Sequence, residues 1–218
     1  MLILLPPSEK KEGGTHDVQV ALETLSFSDY LTLARKLAIA NQNPDLLSLP
    51  TSPAIEIYSG VLYKSLNYRA LSLDAKQRAN DRLFIFSALF GVLRPMDHIP
   101  TYRAKIKSSE WKVPLSKALD GLENQLIIDC RSTTYAAIWT PKTPNTVSTR
   151  VFQEIAGRKK VITHLSKKYR GELAQVLLEN QDLNSPEELL VLARRHFDAE
   201  LHSPTKGNPW LLDLIIRN

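Results

Sequence analysis

The stretch Leu83-Phe84-Ile85-Phe86, followed by the turn Gly91-Val92-Leu93-Arg94-Pro95, decides the fold class. A short run of large apolar residues that ends at turn residues predicts a buried strand. Residues 72–82, which come directly before it, are predicted to form a helix with Ser72 at its N-cap. A buried strand next to a helix indicates a sheet that is covered by helices.

Strands and helices alternate along the rest of the chain. Strands are also predicted at residues 2–5, 126–130 and 161–165, and helices at residues 29–40, 114–122, 133–139, 166–180 and 186–197. Tyr30, Ala34, Leu37 and Ala38 are expected to form the apolar face of the first of these helices. The apolar residues 210–216 are expected to dock on the core. Because strands and helices alternate, we predict a mixed α/β (α+β) fold, with residues 1–218 forming a single domain whose central sheet is flanked by helices.

Composition narrows the class of protein. The chain has 218 residues, of which 43% are hydrophobic and 23% charged, and its net charge is +5. The single cysteine, Cys130, cannot form an internal disulfide, so nothing favours an oxidising compartment. The start of the chain lacks the basic region of a signal peptide, and the longest uncharged apolar run, residues 83–93, is too short to span a membrane. We therefore expect a cytoplasmic protein with no membrane partner.

Positive charge is concentrated in one part of the chain. Residues 131–170 contain nine Lys or Arg and one acidic residue, Glu154. Lys167, Lys168 and Arg170 lie where a helix is predicted to begin, and cations at that end oppose the helix dipole. A bound phosphate would reverse the sign of this effect, because it would accept from both the amides and the side chains. A solvated basic face, or a helix that begins later, would explain the pattern equally well.

The two C-terminal helices are predicted to form a hairpin. Residues 181–184 leave little room between them, and Ser185 with Glu188 matches a capping box. Helix-hairpin-helix elements hold DNA backbones in this way, and they usually carry glycines in the turn. This turn has no glycine, so a plain packed hairpin is the alternative.

Polar residues follow several of the predicted strands. Ser8 and Lys10 follow the first strand, Arg94, Tyr102 and Arg103 come after the second, and Asp129, Arg131, Ser132 and Tyr135 lie where the third crosses into a helix. Strand-to-helix turns of this kind form binding crevices in open sheets. These groups support an alternative function, an enzyme that acts on a nucleotide or another phosphorylated small molecule. The five histidines show no metal-ligand spacing, and we predict no metal, no cofactor and no catalytic residue.

Several of these segments resemble the YaaA peroxide-stress family. The resemblance is carried by Met1-Leu2-Ile3-Leu4-Leu5-Pro6-Pro7-Ser8-Glu9-Lys10, by Tyr58-Ser59-Gly60, by Ser87-Ala88-Leu89-Phe90-Gly91-Val92-Leu93-Arg94-Pro95-Met96-Asp97 and by Lys167-Lys168-Tyr169-Arg170-Gly171. It implies a mixed α/β fold with a basic cleft, DNA binding through a helix-hairpin-helix-like pair, and a role in limiting peroxide damage linked to intracellular iron.

Charge and resemblance together give the leading hypothesis, a protein that binds duplex DNA without acting on it as an enzyme. We expect mainly phosphate contacts and little dependence on DNA sequence. The residues expected to bind phosphate are Lys10, Arg94, Arg103, Arg131, Lys167, Lys168 and Arg170. The polar residues of the cleft under the alternative enzyme hypothesis are Ser8, Tyr102, Asp129, Ser132 and Tyr135.

Overall fold

The structure is a computed structural model, and it describes residues 1–16, 18–122, 124–155, 157–162, 164–205 and 208–217. Its strands are β1 (Leu2–Leu5), β2 (Thr51–Pro53), β3 (Leu83–Ser87), β4 (Gly91–Leu93), β5 (His98–Pro100), β6 (Ile127–Asp129), β7 (Thr146–Ile155), β8 (Arg158–Val161), β9 (Asp198–His202) and β10 (Trp210–Arg217). Its α-helices are α1 (Ser28–Gln42), α2 (Ala54–Ile57), α3 (Val61–Leu66), α4 (Leu73–Arg82), α5 (Ser108–Ala118), α6 (Thr133–Ala136), α7 (His164–Glu179) and α8 (Pro186–Ala193).

One mixed sheet organises the molecule. Its order is β4-β3-β1-β6-β7-β10-β9, and β8 also pairs with β7. The five central strands β3, β1, β6, β7 and β10 run parallel, whereas β4, β8 and β9 pair antiparallel at the margins. A separate antiparallel pair joins β2 and β5. The mixed α/β fold predicted from the sequence is confirmed.

Burial explains why the central strands were recognisable in the sequence. Ile3, Leu4, Ile85 and Ile127 are completely buried and belong to one contiguous hydrophobic cluster. Such strands contain apolar residues on both faces because helices cover both sides. The predicted strands at residues 2–5, 83–86 and 126–130 are therefore confirmed within one or two residues.

The predicted capping of α4 is also confirmed. The Ser72 hydroxyl accepts a hydrogen bond from the amide of Ala75 at 3.2 Å. Glu179, at the end of α7, in turn accepts from both the amide and the hydroxyl of Ser72. The N-terminus of α4 is thus tied to the C-terminus of α7.

One strand prediction is wrong, and one strand was not predicted. The strand predicted at residues 161–165, of which Thr163 lies outside the described residues, is displaced, because β8 ends at Val161 and α7 already begins at His164. The ten-residue strand β7 was not predicted, because it mixes polar and charged residues with apolar ones. The apolar tail does more than dock on the core, since β10 pairs with β7 in parallel from Trp210 to Arg217.

The predicted apolar face of α1 is correct only in part, since Ala38 is buried and Ala34 packs against the core. Tyr30 and Leu37 are each 56% exposed, whereas Arg35 is completely buried. The Arg35 guanidinium donates to the carbonyls of Ser26, Phe90 and Val92, at 2.7–3.0 Å. These hydrogen bonds compensate for the burial of a charged side chain and turn a different face of the helix inward.

Close packing of α7 against α3 fixes the position of the basic segment. A Cβ atom added at Gly171 would lie 2.1 Å from the carbonyl oxygen of Leu62 and 2.9 Å from the Cβ of Ser65. Glycine therefore allows the two helix backbones to approach each other.

No helix in the part of the chain that the structure describes is long and apolar enough to cross a membrane.

Candidate functional site: a basic cleft at the carboxyl ends of the central strands

A large cleft opens where β1, β3 and β6 end. Its volume is about 1230 Å³. In the sheet, β1 and β6 are neighbours. The chain connects β1 to β3 on one side of this pair and β6 to β7 on the other side, so the cleft lies at the point where the strand order reverses. Open α/β sheets bind ligands at such a point. Residues of the loops after β1 and β6, of the loop after β5, of α3, of the middle of β7 and of the start of α7 line it.

Positive charge dominates this basic cleft. Among the described residues that line it, eight are Lys or Arg and one, Glu9, is acidic. The eight cations are Lys10, Lys11, Lys64, Arg103, Lys105, Arg150, Lys167 and Arg170. The imbalance is far larger than that of the whole chain, which has 28 basic and 23 acidic residues. The fold therefore brings cations from separate segments to one surface.

Four of these cations are unpaired. The side chains of Lys64, Arg103, Lys105 and Lys167 are exposed and make no ion pair or hydrogen bond with any residue that the structure describes. Cations that the fold brings to one surface repel one another where no carboxylate pairs with them. An anionic ligand would remove this repulsion.

Arg170 borders a gap in the sheet. Pairing of β6 with β7 stops at Ser148, and pairing of β8 with β7 starts at Phe152. Arg170 donates from Nη2 to the Thr149 carbonyl inside that gap, at 3.1 Å. Its Nε is buried and has no hydrogen-bond partner among the described residues. A buried donor without a partner is costly, so this guanidinium has unused capacity for an anion.

The floor of the cleft contains a chain of hydroxyl groups. The Tyr102 hydroxyl lies 2.9 Å from that of Tyr58 and 2.7 Å from that of Ser87. Burial raises the pKa of both tyrosines, and raises that of Tyr58 strongly. These phenols therefore remain neutral and act as hydrogen-bond donors or acceptors at physiological pH.

Lys11 lies over these aromatic rings. Its Nζ donates to the Ser8 carbonyl at 2.7 Å and lies 4.3 Å from the centre of the Tyr102 ring. A backbone bridge to Tyr58 holds the residue in place. Burial lowers the pKa of Lys11 to about 8; nearby Glu9 opposes this effect and the charge of Arg103 adds to it. Lys11 thus differs from the exposed lysines around it.

Ser8 ties the loop after β1 to the start of α3. Its hydroxyl accepts from the amide of Gly60 at 2.9 Å. A Cβ atom at Gly60 would lie 2.2 Å from that oxygen, so only glycine permits the contact. Tyr63 donates to the Pro6 carbonyl at 2.8 Å in the same region. Ser8 lines the cleft as expected, and its hydroxyl is used to hold two elements together.

Arg131 and Asp129, both expected in the cleft, are not among its lining residues. Arg131 is 4% exposed and binds both carboxylate oxygens of Asp129. Its remaining donors go to the carbonyls of Tyr135 and Trp139. The pair fixes the turn from β6 into α6, so the expected position of these two residues in the cleft is corrected.

Arg94 is also placed elsewhere. Its guanidinium donates to the carbonyls of Asn80 and Asp81 at the end of α4 and lies 4.3 Å from the Phe84 ring centre. The backbone amide of Arg94, and not its guanidinium, donates to the Asp97 carboxylate, at 2.8 Å. The residue stabilises a helix end outside the cleft.

The other expected residues divide into two groups. Lys10, Arg103, Lys167, Arg170, Ser8, Tyr102, Ser132 and Tyr135 line the cleft. Lys168 does not, and it pairs with Glu172 at 3.6 Å. Lys10 pairs with Glu12 at 2.5 Å. The Ser132 side chain makes no capping hydrogen bond to α6 and remains available to the cleft.

The hairpin of α7 and α8 exists, but its turn is not a free surface. Asp182 pairs with Arg82 and with the amino group of Met1, and Arg82 also donates to the carbonyl of Asn180. Lys167 lies at the opposite end of α7, about 20 Å away at the rise of an α-helix. The helix-hairpin-helix detail is therefore not confirmed, although the capping of α8 by Ser185 is.

Four cations of the lining are absent from the residues expected to bind phosphate, namely Lys11, Lys64, Lys105 and Arg150. Lys64 and Lys105 lie outside the basic residues 131–170, whereas Lys11 follows Lys10 and Arg150 lies within that basic stretch. The sequence has its largest excess of Lys and Arg over acidic residues in residues 131–170, yet five of the eight cations that line the cleft lie outside this stretch. Only the tertiary arrangement brings them together.

One cluster of possible metal ligands occurs among the described residues, formed by Glu200, His202 and Asp213. Both oxygens of Asp213 bind Arg150, at 2.6 and 2.8 Å. Glu200 pairs with Lys159. Because protein cations already balance these carboxylates, the cluster has the character of an ion-pair network.

Comparison with known proteins identifies the family. A sequence model described as peroxide stress protein YaaA matches residues 15–200. This chain belongs to the YaaA peroxide stress family. A UPF0246 protein of Streptomyces coelicolor is 31% identical over 99% of this chain and 98% of its own length.

Two further relatives extend the YaaA comparison. A UPF0246 protein of Corynebacterium efficiens is 38% identical over 81% of this chain and 84% of its own length. An uncharacterised protein of Campylobacter jejuni is 38% identical over 76% of this chain and 71% of its own length. The resemblance predicted from the sequence motifs is thus confirmed at the level of the family.

Proposed function

We propose that this YaaA family protein binds DNA through phosphate groups at the rim of the basic cleft. The observation that carries the proposal is the set of four unpaired cations, Lys64, Arg103, Lys105 and Lys167, on a surface with one carboxylate among its described lining residues. Binding to DNA would pair these cations and release counterions from the duplex.

The start of α7 adds to this surface. Lys167 lies in the first turns of a helix that begins at His164, and Arg170 follows one turn later. A helix N-terminus and nearby guanidinium and ammonium groups together favour a phosphate over a neutral ligand. Arg170 lines the same surface, and its buried Nε has no partner among the described residues.

Contacts of this kind position DNA without reading its bases. Affinity should therefore depend strongly on salt and weakly on sequence. A protein that occupies phosphates also competes with metal cations for the same oxygens. This competition offers a physical route from DNA binding to protection against iron-linked peroxide damage.

Charge reversal tests the proposal. Arg103→Glu should weaken the binding of a short fluorescent duplex by about tenfold or more, measured by anisotropy, because it both removes a contact and adds repulsion. Lys117→Glu is the matched control, since Lys117 lies on α5 outside the cleft lining and the substitution changes net charge equally. Equal effects of the two substitutions would attribute binding to net charge and contradict the proposal.

A nucleotide or another phosphorylated small molecule is the second candidate ligand. The hydroxyl chain of Tyr58, Tyr102 and Ser87 beneath the cleft favours it, because a DNA backbone held at the rim does not need these groups. Thermal unfolding with nucleotides, sugar phosphates and duplex DNA separates the candidates. Stabilisation by DNA alone would favour the first candidate, and stabilisation by one small molecule alone would favour the second.

A further inference from the structure

Lys11 is unusual among the cations of the cleft. Its Nζ is held by the Ser8 carbonyl at 2.7 Å and lies against the ring of Tyr102, whereas Lys64, Lys105 and Lys167 extend into solvent. A salt bridge is a common role for a surface lysine, but Lys11 makes none with any described residue. An amine in this position faces the interior of the cleft.

Such an amine is chemically reactive. Its pKa of about 8, lowered mainly by burial, leaves roughly one quarter of the molecules with a neutral amine at about pH 7.5. Enzymes use desolvated lysines, in hydrophobic surroundings or next to another cation, as nucleophiles toward carbonyl carbon. Arg103 supplies the neighbouring cation here.

We infer that Lys11 is a nucleophile that forms a Schiff base with an aldehyde flanked by phosphate groups. The source of this aldehyde is the ring-opened sugar of an abasic site in DNA. This inference rests on the proposed function, because the rim cations would hold the phosphates on either side of that sugar. Oxidative attack on DNA releases bases and leaves such aldehydes. A sugar without a base is smaller than an intact nucleoside, and the cleft that Lys11 lines has a volume of about 1230 Å³.

Two other residues of the lining complete the chemistry. Glu9 is the one carboxylate among the described residues of the lining, and its charge acts on both Lys11 and Tyr135. The Tyr135 hydroxyl makes no hydrogen bond to a described residue, and burial raises its pKa, so it remains a neutral donor for an oxygen of the substrate.

The steps balance without a redox partner. The lone pair of Nζ attacks C1′, and the carbonyl oxygen takes up a proton to give a carbinolamine. Loss of water then forms the imine. From the imine, Glu9 accepts a proton from C2′ while the C3′–O bond breaks and its electrons leave with the phosphate oxygen; water then hydrolyses the imine and restores the amine.

Reductive trapping tests the inference on the full chain. The protein is mixed with cyanoborohydride and either an abasic duplex or 2-deoxyribose 5-phosphate, and the adduct is located by peptide mass spectrometry. We expect an adduct on Lys11 that decreases about tenfold or more in Lys11→Arg, which keeps the charge but not the nucleophile. Lys117→Arg should leave the yield unchanged. Glu9→Gln should retain trapping and slow strand cleavage.

Binding is measured in parallel, so that the two claims fail separately. If intact and abasic duplexes do not bind at all, the proposed function is wrong. If abasic DNA binds and no adduct forms with either probe, or if Lys11→Arg leaves the yield unchanged while its unfolding matches the parent, the role of Lys11 is wrong. Trapping on Lys11 by the sugar phosphate alone would retain the nucleophile and overturn DNA as the source of the aldehyde.

Discussion

The guanidinium of Arg131 binds both carboxylate oxygens of Asp129, at 2.9 Å through Nε and 2.7 Å through Nη2. Both residues are buried, and the same guanidinium donates to the carbonyls of Tyr135 and Trp139. The pair therefore joins β6 to α6 and shapes one wall of the cleft without lining it.

Removal of one partner should be costly. Arg131→Ala leaves a buried carboxylate without a counterion and should lower the free energy of unfolding by about 3–5 kcal/mol, measured by urea denaturation. Arg103→Ala, at an exposed position with no described partner, should change it by about 0.5 kcal/mol or less. The account would be contradicted if Arg131→Ala retained stability but lost DNA affinity.

Lys167 and Lys168 are neighbours with different expected roles. Lys167 lines the cleft unpaired, whereas Lys168 faces Glu172 and lies outside the lining. Lys167→Gln should therefore weaken the affinity for DNA several-fold more than Lys168→Gln, measured by anisotropy at low salt. Because both substitutions remove one charge from the same helix, a larger effect at Lys168 would show that DNA contacts another face of α7.

Gly171 sets the distance between α3 and α7. The methyl group of Gly171→Ala would meet the carbonyl of Leu62 at 2.1 Å, and backbone cannot move aside as a flexible side chain can. We expect a loss of about 1–3 kcal/mol in the free energy of unfolding. Gln175→Ala, one turn further along α7 at a partly exposed site, is the control and should be nearly neutral. Equal stability of the two variants would mean that α7 can shift without cost.

The pKa of Lys11 makes stability depend on pH. It is lowered from 10.5 to about 8 in the folded protein by burial. Between these values the unfolded chain binds the additional proton, so the free energy of unfolding should rise with pH from about 8 to about 10.5. Lys11→Met should lack this contribution.

The comparison of the two proteins isolates Lys11 from the other titrating groups. Urea denaturation at about pH 7.5 and about pH 10 should show that the stability of the parent relative to Lys11→Met increases at the higher pH. A relative stability that stays constant would mean that Lys11 titrates as a solvated amine.

The sequence predicted the elements whose signals are local. The strands β1 and β3 are continuous apolar runs, as is most of β6. Ser72 and Ser185 are N-cap residues, which mark the start of a helix in the sequence. It did not predict β7, because the apolar surroundings of that strand are supplied by β10, more than sixty residues later. The burial of Arg35 on α1 was not predicted, because two of the carbonyls that accept from it, those of Phe90 and Val92, are 55 and 57 residues away in the sequence.

The sequence predicted a basic cleft but only some of the residues that line it. Arg103, Lys167 and Arg170 were identified from charge and resemblance, and they line it. Arg131 and Arg94 were assigned to it because a sequence shows charge but not the carbonyls and carboxylates that a folded arginine will meet. Lys11 was not distinguished from its neighbour Lys10, because the two have the same side chain and only burial in the folded protein separates them.

The most direct test of the central claim is the salt dependence of DNA affinity. We compare the parent with a variant in which Lys64, Arg103, Lys105 and Lys167 are all replaced by alanine. If each cation contacts a phosphate, the slope of log affinity against log salt should become less steep by about three to four. A slope that is unchanged in a variant with unaltered unfolding would contradict the claim that these four cations bind DNA.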